Sequence, residues 1–511
     1  MIAKVFSAAL RGIEAFPVEV EVDIQLGMPA YVTVGLAETA VKESRERVRG
    51  AVLNSGFIFP SEQVTVNLAP AEMPKEGTQL DLAVAIALVA AQNVQRDIWP
   101  LGECLVAGEL ALDGKVRPVR GLLPMAIMAR NMGKRFFFPE ANLPEAEIVG
   151  GLEAYPVKSL AELVHHLRGE RLLAKIAHRS YEEILEEPPS DEDFSDVRGQ
   201  HYAKRALEVA GAGGHNILLI GPPGSGKSML AKRFPTILPG MSFDEALETT
   251  QIHSVKGEGR RREKGLLVLR PFRSPHHTIS YAGMTGGGST VMPGEVSLAH
   301  NGVLFLDELT EFRRDVLESL RQPLEDRKVD ISRAKESLSF PSSFTLLAAS
   351  NPCPCGFYGD PAKRCKCTPL QISRYLSKIS GPLMDRIDIQ IEVPAVLPEE
   401  LRGKRPGETS AEIRKRITKA RSVQGRRFGK TRIKTNAEMS EKMVEKHCPL
   451  SAEPEKFLLE ALRSFGLTAR GHHRILKVAR TIADLEGADE ISAAHLAEAV
   501  QYRTLDRKLF G

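Results

Sequence analysis

The chain has 511 residues, a length that excludes a single hydrophobic core and suggests about three domains of ordinary size. Its 69 lysines and arginines against 65 aspartates and glutamates leave a net charge of only +4, so a polyanion would have to be bound by local patches and not by the field of the whole molecule. No stretch approaches the ~20 continuous apolar residues of a membrane span and the N-terminus lacks a signal-peptide core, which predicts a cytoplasmic protein that does not enter a membrane.

Residues 1–168 are predicted to form one α/β domain. Alternating apolar and polar residues predict half-exposed strands near 18–24, 30–35 and 64–68. An almost wholly apolar stretch at 80–91 predicts a buried helix.

Two stretches of this domain, 74–79 and 108–122, resemble the proteolytic domain of the Lon family. In that family the first stretch delivers a nucleophilic serine and the second leads into a lysine that activates it, because a serine hydroxyl needs an adjacent base. This chain has Gln79 and Leu123 at those positions, and neither side chain can do that chemistry. The resemblance therefore implies a Lon-like α+β domain without the protease dyad, used for structure or binding. A nucleophile displaced elsewhere in the domain is the alternative.

Residues 169–196 end in a run with two prolines and dense negative charge. Such a composition cannot build a core of its own. It predicts an acidic linker, with a plain hinge favoured over a strap along the next domain.

The stretch Gly-Pro-Pro-Gly-Ser-Gly-Lys-Ser at 221–228 reads as G-x-x-x-x-G-K-S and lies between an apolar run and the start of a helix. This is the context of a phosphate-binding loop, because glycines let the backbone N–H groups surround a polyphosphate and the helix points its positive end at it. Lys227 is expected to reach the β- and γ-phosphates of ATP, and Ser228 to complete the shell of Mg²⁺. A glycine-rich turn that matches by chance is the alternative. The predicted nucleotide-binding residues of the loop are Gly221, Pro222, Pro223, Gly224, Ser225, Gly226, Lys227 and Ser228.

A second apolar run, 303–306, ends in Asp307 and Glu308. Asp307 is expected to hold the Mg²⁺ shell and Glu308 to polarise the attacking water. A third run ends in Asn351, which is expected to orient that water against the γ-phosphate, as the first sensor of AAA+ proteins does.

By the same resemblance to AAA+ ATPases, Gln200 lies where that class lines its adenine pocket, and Arg386 is the candidate arginine finger. Such an arginine neutralises the charge that develops during phosphoryl transfer in a neighbouring subunit, so its presence would imply a ring. The alternative is that the Asp-Arg-x-Asp run around Arg386 is a surface salt-bridge cluster.

Two insertions indicate which family of AAA+ ATPases the chain resembles. One, at 270–300, contains His276 and His277, and the other, at 324–340, reads as two alternating strands around a basic tip. Together with the Lon-like front they resemble the magnesium-chelatase-like AAA+ ATPases of the ComM/YifB type, over essentially the whole chain. The resemblance implies a P-loop AAA+ core of three αβα layers at 197–400. It also implies a hexameric, ATP-driven DNA motor that promotes branch migration during natural transformation or recombination.

Carried over by position, Arg333 and Lys335 would lie on a hairpin that faces the central pore and contacts DNA, and a merely solvated tip is the alternative. The adjacent His276 and His277 make a poor metal site by themselves. A structural or DNA-facing loop is the better interpretation of the pair.

Four cysteines fall within fifteen residues: Cys353, Cys355, Cys365 and Cys367. Four thiols in one short loop of a protein expected in the cytoplasm are best explained by tetrahedral zinc, which would fold a loop too short for its own core. The C-x-C spacing is tighter than the usual C-x-x-C, and free or redox-active thiols are the alternative. Zinc here would shape the loop and not perform the reaction.

Residues 401–435 are predicted to be a basic connector, with thirteen lysines and arginines against two glutamates. Thr409 and Glu412 match a capping box that starts a helix. A patch of this strength favours the phosphate backbone of nucleic acid. The alternative is a solvated helix whose charges meet the acidic linker.

Residues 436–511 show helical periodicity and are predicted to form the lid of the ATPase. The resemblance places the second sensor, an arginine that touches the γ-phosphate, at Arg470, with Arg474 one turn further on as the alternative.

Three functions of different classes follow from the sequence. The first is a DNA motor whose ATPase is stimulated by single-stranded or branched DNA. The second is a chelatase-type motor that drives remodelling or metal insertion with partner proteins. The third is an ATP-dependent protease, against which Gln79 and Leu123 argue.

Overall fold

The computed structural model describes residues 2–36, 41, 43–93, 99–185, 192–258, 265–288, 291–332, 337–360, 363–395, 407–429, 431–465 and 469–505. The side chains of 465, 469 and 470 are outside this description, although their backbone is helical. Within these ranges, none of the helices combines the length and the apolar surface that crossing a bilayer requires.

The N-terminal part is built on a seven-stranded mixed sheet. Its strands and those of a separate two-stranded pair are β1 Ile2–Arg11, β2 Glu14–Gln25, β3 Ala30–Val34, β4 Gln63–Ala69, β5 Cys104–Val106, β6 Glu109–Leu110, β7 Val116–Arg117, β8 Arg135–Pro139 and β9 Ala154–Val157. The order in the sheet is β3-β4-β2-β1-β5-β8-β9, and β6 pairs with β7. The three strands predicted from alternation correspond to β2, β3 and β4.

Among the described residues, this sheet is accompanied by the helices α1 Ser44–Asn54, α2 Asp81–Asn93, α3 Leu122–Asn131, α4 Leu143–Glu147 and α5 Leu160–Leu167. Every residue of α2 from Asp81 to Ala91 is buried, because the helix lies under β1 and β2 and is covered on all sides. This confirms the buried helix expected from its apolar sequence.

The segment between the two halves of the chain is packed and not a free hinge. It contains the short helix α6 Tyr181–Ile184, in which Ile184 is buried, and Phe194 is buried further on. The hydroxyl of Tyr181 donates to the carbonyl of Met241 at 2.6 Å. The described part of the acidic stretch is therefore a strap along the next domain, and the preference for a plain hinge was wrong because it weighed composition without these three apolar anchors.

The central part is built on a five-stranded sheet. Its strands are β10 Ile217–Ile220, β11 Phe272–Arg273, β14 Val303–Leu306, β17 Thr345–Ser350 and β18 Ile389–Glu392. They are all parallel and lie in the order β11-β14-β17-β10-β18. Alternate strand residues enter two different apolar clusters, for example Ile217 and Leu219 on one face and Leu218 and Ile220 on the other. Helices contribute to both clusters. The core therefore has three αβα layers, as expected.

The remaining elements of the central part are helices and two small strand pairs. They are α7 His201–Gly213, α8 Lys227–Ile237, α9 Phe243–Lys256, α10 Tyr281–Thr285, β12 Gly286–Gly287, β13 Met292–Pro293, α11 Glu295–Leu298, α12 Arg314–Ser319, α13 Arg321–Asp326, β15 Lys328–Ser332, β16 Ser337–Pro341, α14 Pro369–Leu376 and α15 Gly381–Met384. The antiparallel pair β15 and β16 confirms the predicted hairpin. Its tip, with Arg333 and Lys335, lies outside the described residues.

The described residues from 407 onward contain the helices α16 Ser410–Phe428, α17 Glu441–His447, α18 Ala452–Phe465, α19 Ala469–Glu486 and α20 Ala493–Gln501. A capping box between Thr409 and Glu412 starts α16 as predicted. The apolar residues of α16 to α20 share one cluster with α7, α8 and the sheet. The predicted lid is helical and packs on one face of the central sheet.

Candidate nucleotide-binding site

The glycine-rich loop begins where the fully buried strand β10 ends, and helix α8 starts at its other end. Gly224 and Gly226 have φ angles of +80° and +91°, in the region that side chains with a Cβ rarely adopt. Gly226 is the residue that caps α8, so the loop turns directly into the positive end of the helix.

Lys227 is buried and folded back onto its own loop. Its Nζ donates to the carbonyl oxygens of Gly221 at 2.7 Å and Pro222 at 2.9 Å, and lies 3.4 Å from Oδ1 of Asn351. Burial lowers the pKa of Lys227, partly opposed by the charges of Asp307 and Glu308. The ammonium is thus held among neutral oxygens, at the point where β17 delivers Asn351.

Ser228 and Asp307 meet across the sheet edge. The Oγ of Ser228 donates to Oδ2 of Asp307 at 2.7 Å. Asp307 directly follows β14 and Asn351 directly follows β17, and the carboxyl ends of parallel strands lie at the same edge of a sheet. A hydroxyl and a carboxylate side by side form the kind of oxygen pair that Mg²⁺ accepts.

Glu308 lies beside this group, and its backbone N–H donates to Oδ1 of Asp307 at 2.9 Å, but its side chain does not join the hydrogen bonds. Its φ is +51°, its side chain is 57 % exposed, and Nδ1 of His277 lies 3.6 Å from one carboxylate oxygen. The sequence singled out His277 only as part of a structural or DNA-facing loop. Its contact with Glu308 was missed because the strand before it, β11, has two residues and carries no visible strand pattern.

Gln200 joins the phosphate loop to the segment after β18. Its Nε2 donates to the carbonyl of Ser225 at 3.3 Å and to that of Pro394 at 2.7 Å. Gln200 therefore lies next to the loop, on the side where β18 ends.

Arg386 lies at the opposite end of the sheet. Its carbonyl accepts a hydrogen bond from Nδ2 of Asn216 at 2.8 Å, and Asn216 precedes β10, whereas Gly221 follows it. Asn216 and Gly221 are five residues of extended chain apart, a distance of about 16 Å. The backbone of Arg386 is therefore about that far from the phosphate loop along the strand direction. The guanidinium of Arg386 is paired with Glu325 and donates to the carbonyl of Pro382 at 2.7 Å. Within its own chain Arg386 thus forms an ion pair, but with Glu325 and not within the Asp-Arg-x-Asp run named as the alternative to the finger.

The start of α19 also lies at that far end. Nη1 of Arg474 is 3.5 Å from the carbonyl oxygen of Ile387 and 3.9 Å from a carboxylate oxygen of Asp388, beside the amino end of β18. Arg470 is one turn earlier in the helix, and its side chain lies outside the described residues. Arg474 is therefore not part of the nucleotide site of its own chain.

The basic connector is folded against the protein. Arg414 donates to the carbonyl of Thr236, Arg421 to that of Gly211, and two further arginines of α16 form ion pairs with carboxylates. These pairs are Arg416 with Glu208 and Glu408, and Arg427 with Asp484. Four of the five described arginines of α16 are therefore engaged by the core and lid, and DNA binding by the basic connector stays a prediction.

The four predicted zinc ligands lie together. The Sγ atom of Cys353 is 3.4 Å from that of Cys355 and 3.7 Å from that of Cys365, and all four Sγ atoms, including that of Cys367, lie within 4.8 Å of one another. Zinc held tetrahedrally at 2.3 Å from each sulfur requires sulfurs about 3.8 Å apart. Backbone N–H groups that donate to Cys355 lower its pKa to about 6, which favours the thiolate that zinc binds. The donor set fits zinc in number and spacing.

The cysteine loop touches the phosphate loop. Gly356 has a φ of +84°, and a Cβ built on it would lie 2.6 Å from Cδ of Pro223. Since Asn351 lies two residues before Cys353, the same segment contacts the nucleotide site at two points.

The positions of the Lon dyad hold no catalytic group. Gln79 is buried and donates to the carbonyl of Glu76 at 2.7 Å, and Leu123 is buried inside α3. Gln79 lines a cavity of about 260 Å³ whose other walls include Val255 and Leu338 of the central part. None of the described residues around this cavity is a serine, threonine, cysteine or lysine, so a displaced nucleophile finds no candidate there.

The parallel sheet, the glycine-rich loop and the carboxylates at the end of the neighbouring strand define a P-loop protein of the AAA+ ATPase class. Three family models match the chain: "Subunit ChlI of Mg-chelatase" at residues 20–142, "Magnesium chelatase, subunit ChlI" at 193–401 and "Magnesium chelatase, subunit ChlI C-terminal" at 407–503. The chain belongs to the magnesium-chelatase-like AAA+ family, in its ComM/YifB type.

Similar proteins agree with this assignment over nearly the full length. The chain is 43 % identical to the uncharacterized protein YifB of Salmonella typhimurium over 509 residues, which cover 99 % of this chain and 98 % of the relative. It is 43 % identical to the competence protein ComM of Haemophilus influenzae over 511 residues, with the same coverage. Lon protease 2 of Bacillus subtilis is 29 % identical over 177 residues, which cover 32 % of this chain and 30 % of that protein.

Proposed function

We propose that the protein is an ATP-driven DNA motor that works as a hexameric ring and promotes branch migration during the integration or recombination of DNA. The observation that carries the proposal is the convergence of Lys227, Ser228, Asp307 and Asn351 at one edge of the central sheet. Such a cluster has the parts that phosphoryl transfer requires.

The residues of the site fit ATP and Mg²⁺. Lys227 is buried, and within the described part of the chain no carboxylate lies at ion-pair distance from it, so the site lacks an anion that a phosphate would supply. The buried Oγ of Ser225 likewise has no hydrogen-bond partner among the described residues. A triphosphate on the loop would satisfy both groups.

Each residue then has a distinct task in hydrolysis. Lys227 would exchange the loop carbonyls for the β- and γ-phosphates, and Ser228 and Asp307 would hold Mg²⁺. The ion, when bound, neutralises charge on the phosphate oxygens. Asn351 orients the attacking water, and Glu308 accepts its proton.

The ring assembly is supported by the position of Arg386. This arginine lies about 16 Å from the phosphate loop of its own chain along the strand direction, so it would act only on the nucleotide of a neighbour. The same holds for Arg474, which is at the same end of the sheet. Arg470, one turn earlier, is proposed as the second sensor on the same grounds.

The action on DNA is supported by the relationship to ComM, which bears the name of a competence protein. The hairpin of β15 and β16 is proposed as the element that faces the pore. A chelatase-like motor that acts with partner proteins is the second candidate, favoured by the descriptions of the matching families.

Zinc is proposed at Cys353, Cys355, Cys365 and Cys367. It would hold the loop that packs on Pro223 and leads out of Asn351. Its role would be to shape the nucleotide site and not to take part in the reaction.

ATP hydrolysis measured with and without branched DNA tests the proposal. We expect stimulation by single-stranded or branched DNA, and loss of hydrolysis in Lys227→Ala and Glu308→Gln. Strand exchange should be lost in the same variants, and the oligomer should be a ring by analytical ultracentrifugation. Hydrolysis that no DNA stimulates would refute the DNA motor and favour the chelatase-like alternative.

A further inference from the structure

We propose that the cysteine loop, residues 353–367, contacts single-stranded DNA through Lys363, Arg364 and Lys366. The inference rests on the proposed function, because it names an element by which the proposed motor touches its DNA. It concerns side chains that neither the nucleotide site nor the proposed zinc site uses.

The cysteine loop and the helix after it concentrate positive charge. Residues 352–378 contain five lysines and arginines against one acidic residue, Asp360, an excess of four. The net charge of the whole 511-residue chain is also +4. Zinc bound by four thiolates would carry two negative charges, so the segment would stay positive with the metal bound. Such a local excess attracts a polyanion that the balanced charge of the whole protein does not.

The cations of the loop are exposed and have no acidic partners. Lys363, Arg364 and Lys366 all lie on the surface. Among the described residues, none of the three has a carboxylate at ion-pair distance, in contrast to Arg416 and Arg427 of α16. Cations of this kind can replace the counterions of a phosphate backbone without first giving up a partner.

The fold of the loop gathers these cations on one surface. Lys366 stands between Cys365 and Cys367, whose Sγ atoms lie with those of the other two cysteines within 4.8 Å of one another. Nζ of Lys363 is 4.9 Å from the ring centroid of Phe357, a cation–π contact across the loop. The three charges therefore belong to four consecutive residues that are held at both ends.

An exposed aromatic ring next to this contact favours a single strand over a duplex. Tyr358 follows Phe357 and is 40 % exposed. Aromatic rings stack on the faces of unpaired bases, which a duplex covers. Cations for the backbone together with a ring for the bases are typical of sites that bind single strands without sequence preference.

The same loop reaches the nucleotide site. Gly356 packs against Pro223 of the phosphate loop, and Asn351 lies two residues before Cys353. A strand bound by the loop would act on a segment that contacts the nucleotide site at two points. This placement gives bound DNA a short path to the residues that hydrolyse ATP.

The test is binding of fluorescein-labelled oligo(dT) to the full chain, followed by fluorescence anisotropy over a series of salt concentrations. The loop variant combines Lys363→Gln, Arg364→Gln and Lys366→Gln, which removes three charges and keeps polar side chains. Each phosphate contact contributes about 0.7 to the slope of log affinity against log salt for a single strand, so the slope should become less steep by about 2. The affinity should fall about 10- to 50-fold at about 0.15 M salt.

ATP hydrolysis and zinc content of the same samples show whether the change is confined to DNA. The DNA concentration for half-maximal stimulation should rise by the same factor as the Kd for oligo(dT). The DNA-free kcat, the KM for ATP and the zinc content should match the wild type, because none of the three side chains belongs to either site.

A single substitution tests the aromatic part of the surface. Tyr358→Leu removes stacking but no charge, so it should weaken oligo(dT) binding about fivefold or more and leave the salt slope unchanged. Binding to the oligo(dA)·oligo(dT) duplex should not change.

The matched control removes the same charges from helices α17 and α18. Lys442, Lys446 and Arg463 are exposed, and they too have no carboxylate at ion-pair distance in the described part of the chain. Lys442→Gln, Lys446→Gln and Arg463→Gln combined should leave the affinity and the salt slope at wild-type values. The control thus separates a contact of the loop from an effect of net charge.

Three results would overturn the inference: a wild type that does not bind oligo(dT), an unchanged salt slope in the loop variant, or an equal change in the control. Loss of the oligomer in sedimentation, with the slope unchanged, would assign the loop to a contact between copies of the chain and overturn it as well. Failure of the proposed function has a different signature. If the loop variant loses oligo(dT) affinity as expected but no DNA stimulates hydrolysis by the wild type, the DNA motor is refuted and the DNA contact stands.

Discussion

Substitution of Gly356 by alanine tests whether the cysteine loop supports the phosphate loop. Two effects act at this position. The φ of +84° is unfavourable for alanine, and the new Cβ would lie 2.6 Å from Cδ of Pro223. Gly359→Ala is the matched control, because its φ is +80° but its Cβ would meet only Oε1 of Glu392, at 3.5 Å.

The difference between the two variants isolates the contact with Pro223. Each should lose roughly 1 kcal/mol of stability from the left-handed backbone alone. Gly356→Ala must in addition displace Pro223 or its own loop by about 1 Å to reach an ordinary contact distance, and a misplacement of that size can cost about 100-fold in rate. We therefore expect kcat/KM for ATP to fall about 10- to 100-fold in Gly356→Ala and less than about twofold in Gly359→Ala.

The assay is ATP hydrolysis over a range of ATP concentrations, with thermal melting and zinc content measured on the same samples. Equal kcat/KM values for the two variants would refute the reasoning, because the shared backbone cost would then be the whole effect. A fall in Gly356→Ala that follows loss of zinc, and not displacement of Pro223, would refute it as well.

Three further predictions concern stability and zinc. Asp484→Ala leaves the guanidinium of Arg427 without its buried partner and should lower the free energy of unfolding, measured by loss of helical circular dichroism in urea, by about 3–5 kcal/mol, with a smaller loss in Asp484→Asn. Cys365→Ser should reduce zinc, measured by atomic emission, from about one ion per chain to nearly none. Burial raises the pKa of Asp388, but the hydrogen bond and charge of His215 outweigh it and hold this pKa well below its usual range. The stability that Asp388 contributes should thus be complete above about pH 4 and be lost as the pH falls below it, so that the melting temperatures of wild type and Asp388→Asn converge in acid.

The parts of the site that are encoded locally could be predicted from the sequence. The phosphate loop follows from the spacing of Gly221, Gly226 and Lys227, and Asp307 and Asn351 follow from polar residues at the ends of apolar strands. Parallel strands bring their carboxyl ends to one edge of the sheet, whichever segments connect them.

The directions of charged side chains on helices were harder to predict. The charge of the connector suggested a surface for DNA, but Arg414 and Arg421 lie seven residues apart and flank the buried Ile417. This spacing placed both on the face that packs against the core, and it was visible in the sequence. Net charge alone does not show which face of a helix is buried.

The position of Arg386 could not be obtained from its motif either. Its place at the amino end of β18 depends on the register of β18 against β10, in which Ile389 lies beside Ile217. That register is set by pairing between segments that are far apart in sequence.

The packing of the Lon-like part explains why its fold can persist without the dyad. Met241, Ala246 and Leu266 of the central part belong to the same apolar cluster as Leu122 and Phe136 of the N-terminal part. The two parts are therefore joined by a shared core and not only by the strap. Because helix α9 contributes to that cluster, the Lon-like part is a fixed base for the central domain. A fold retained for this purpose needs its apolar surface and has no use for a nucleophile at position 79.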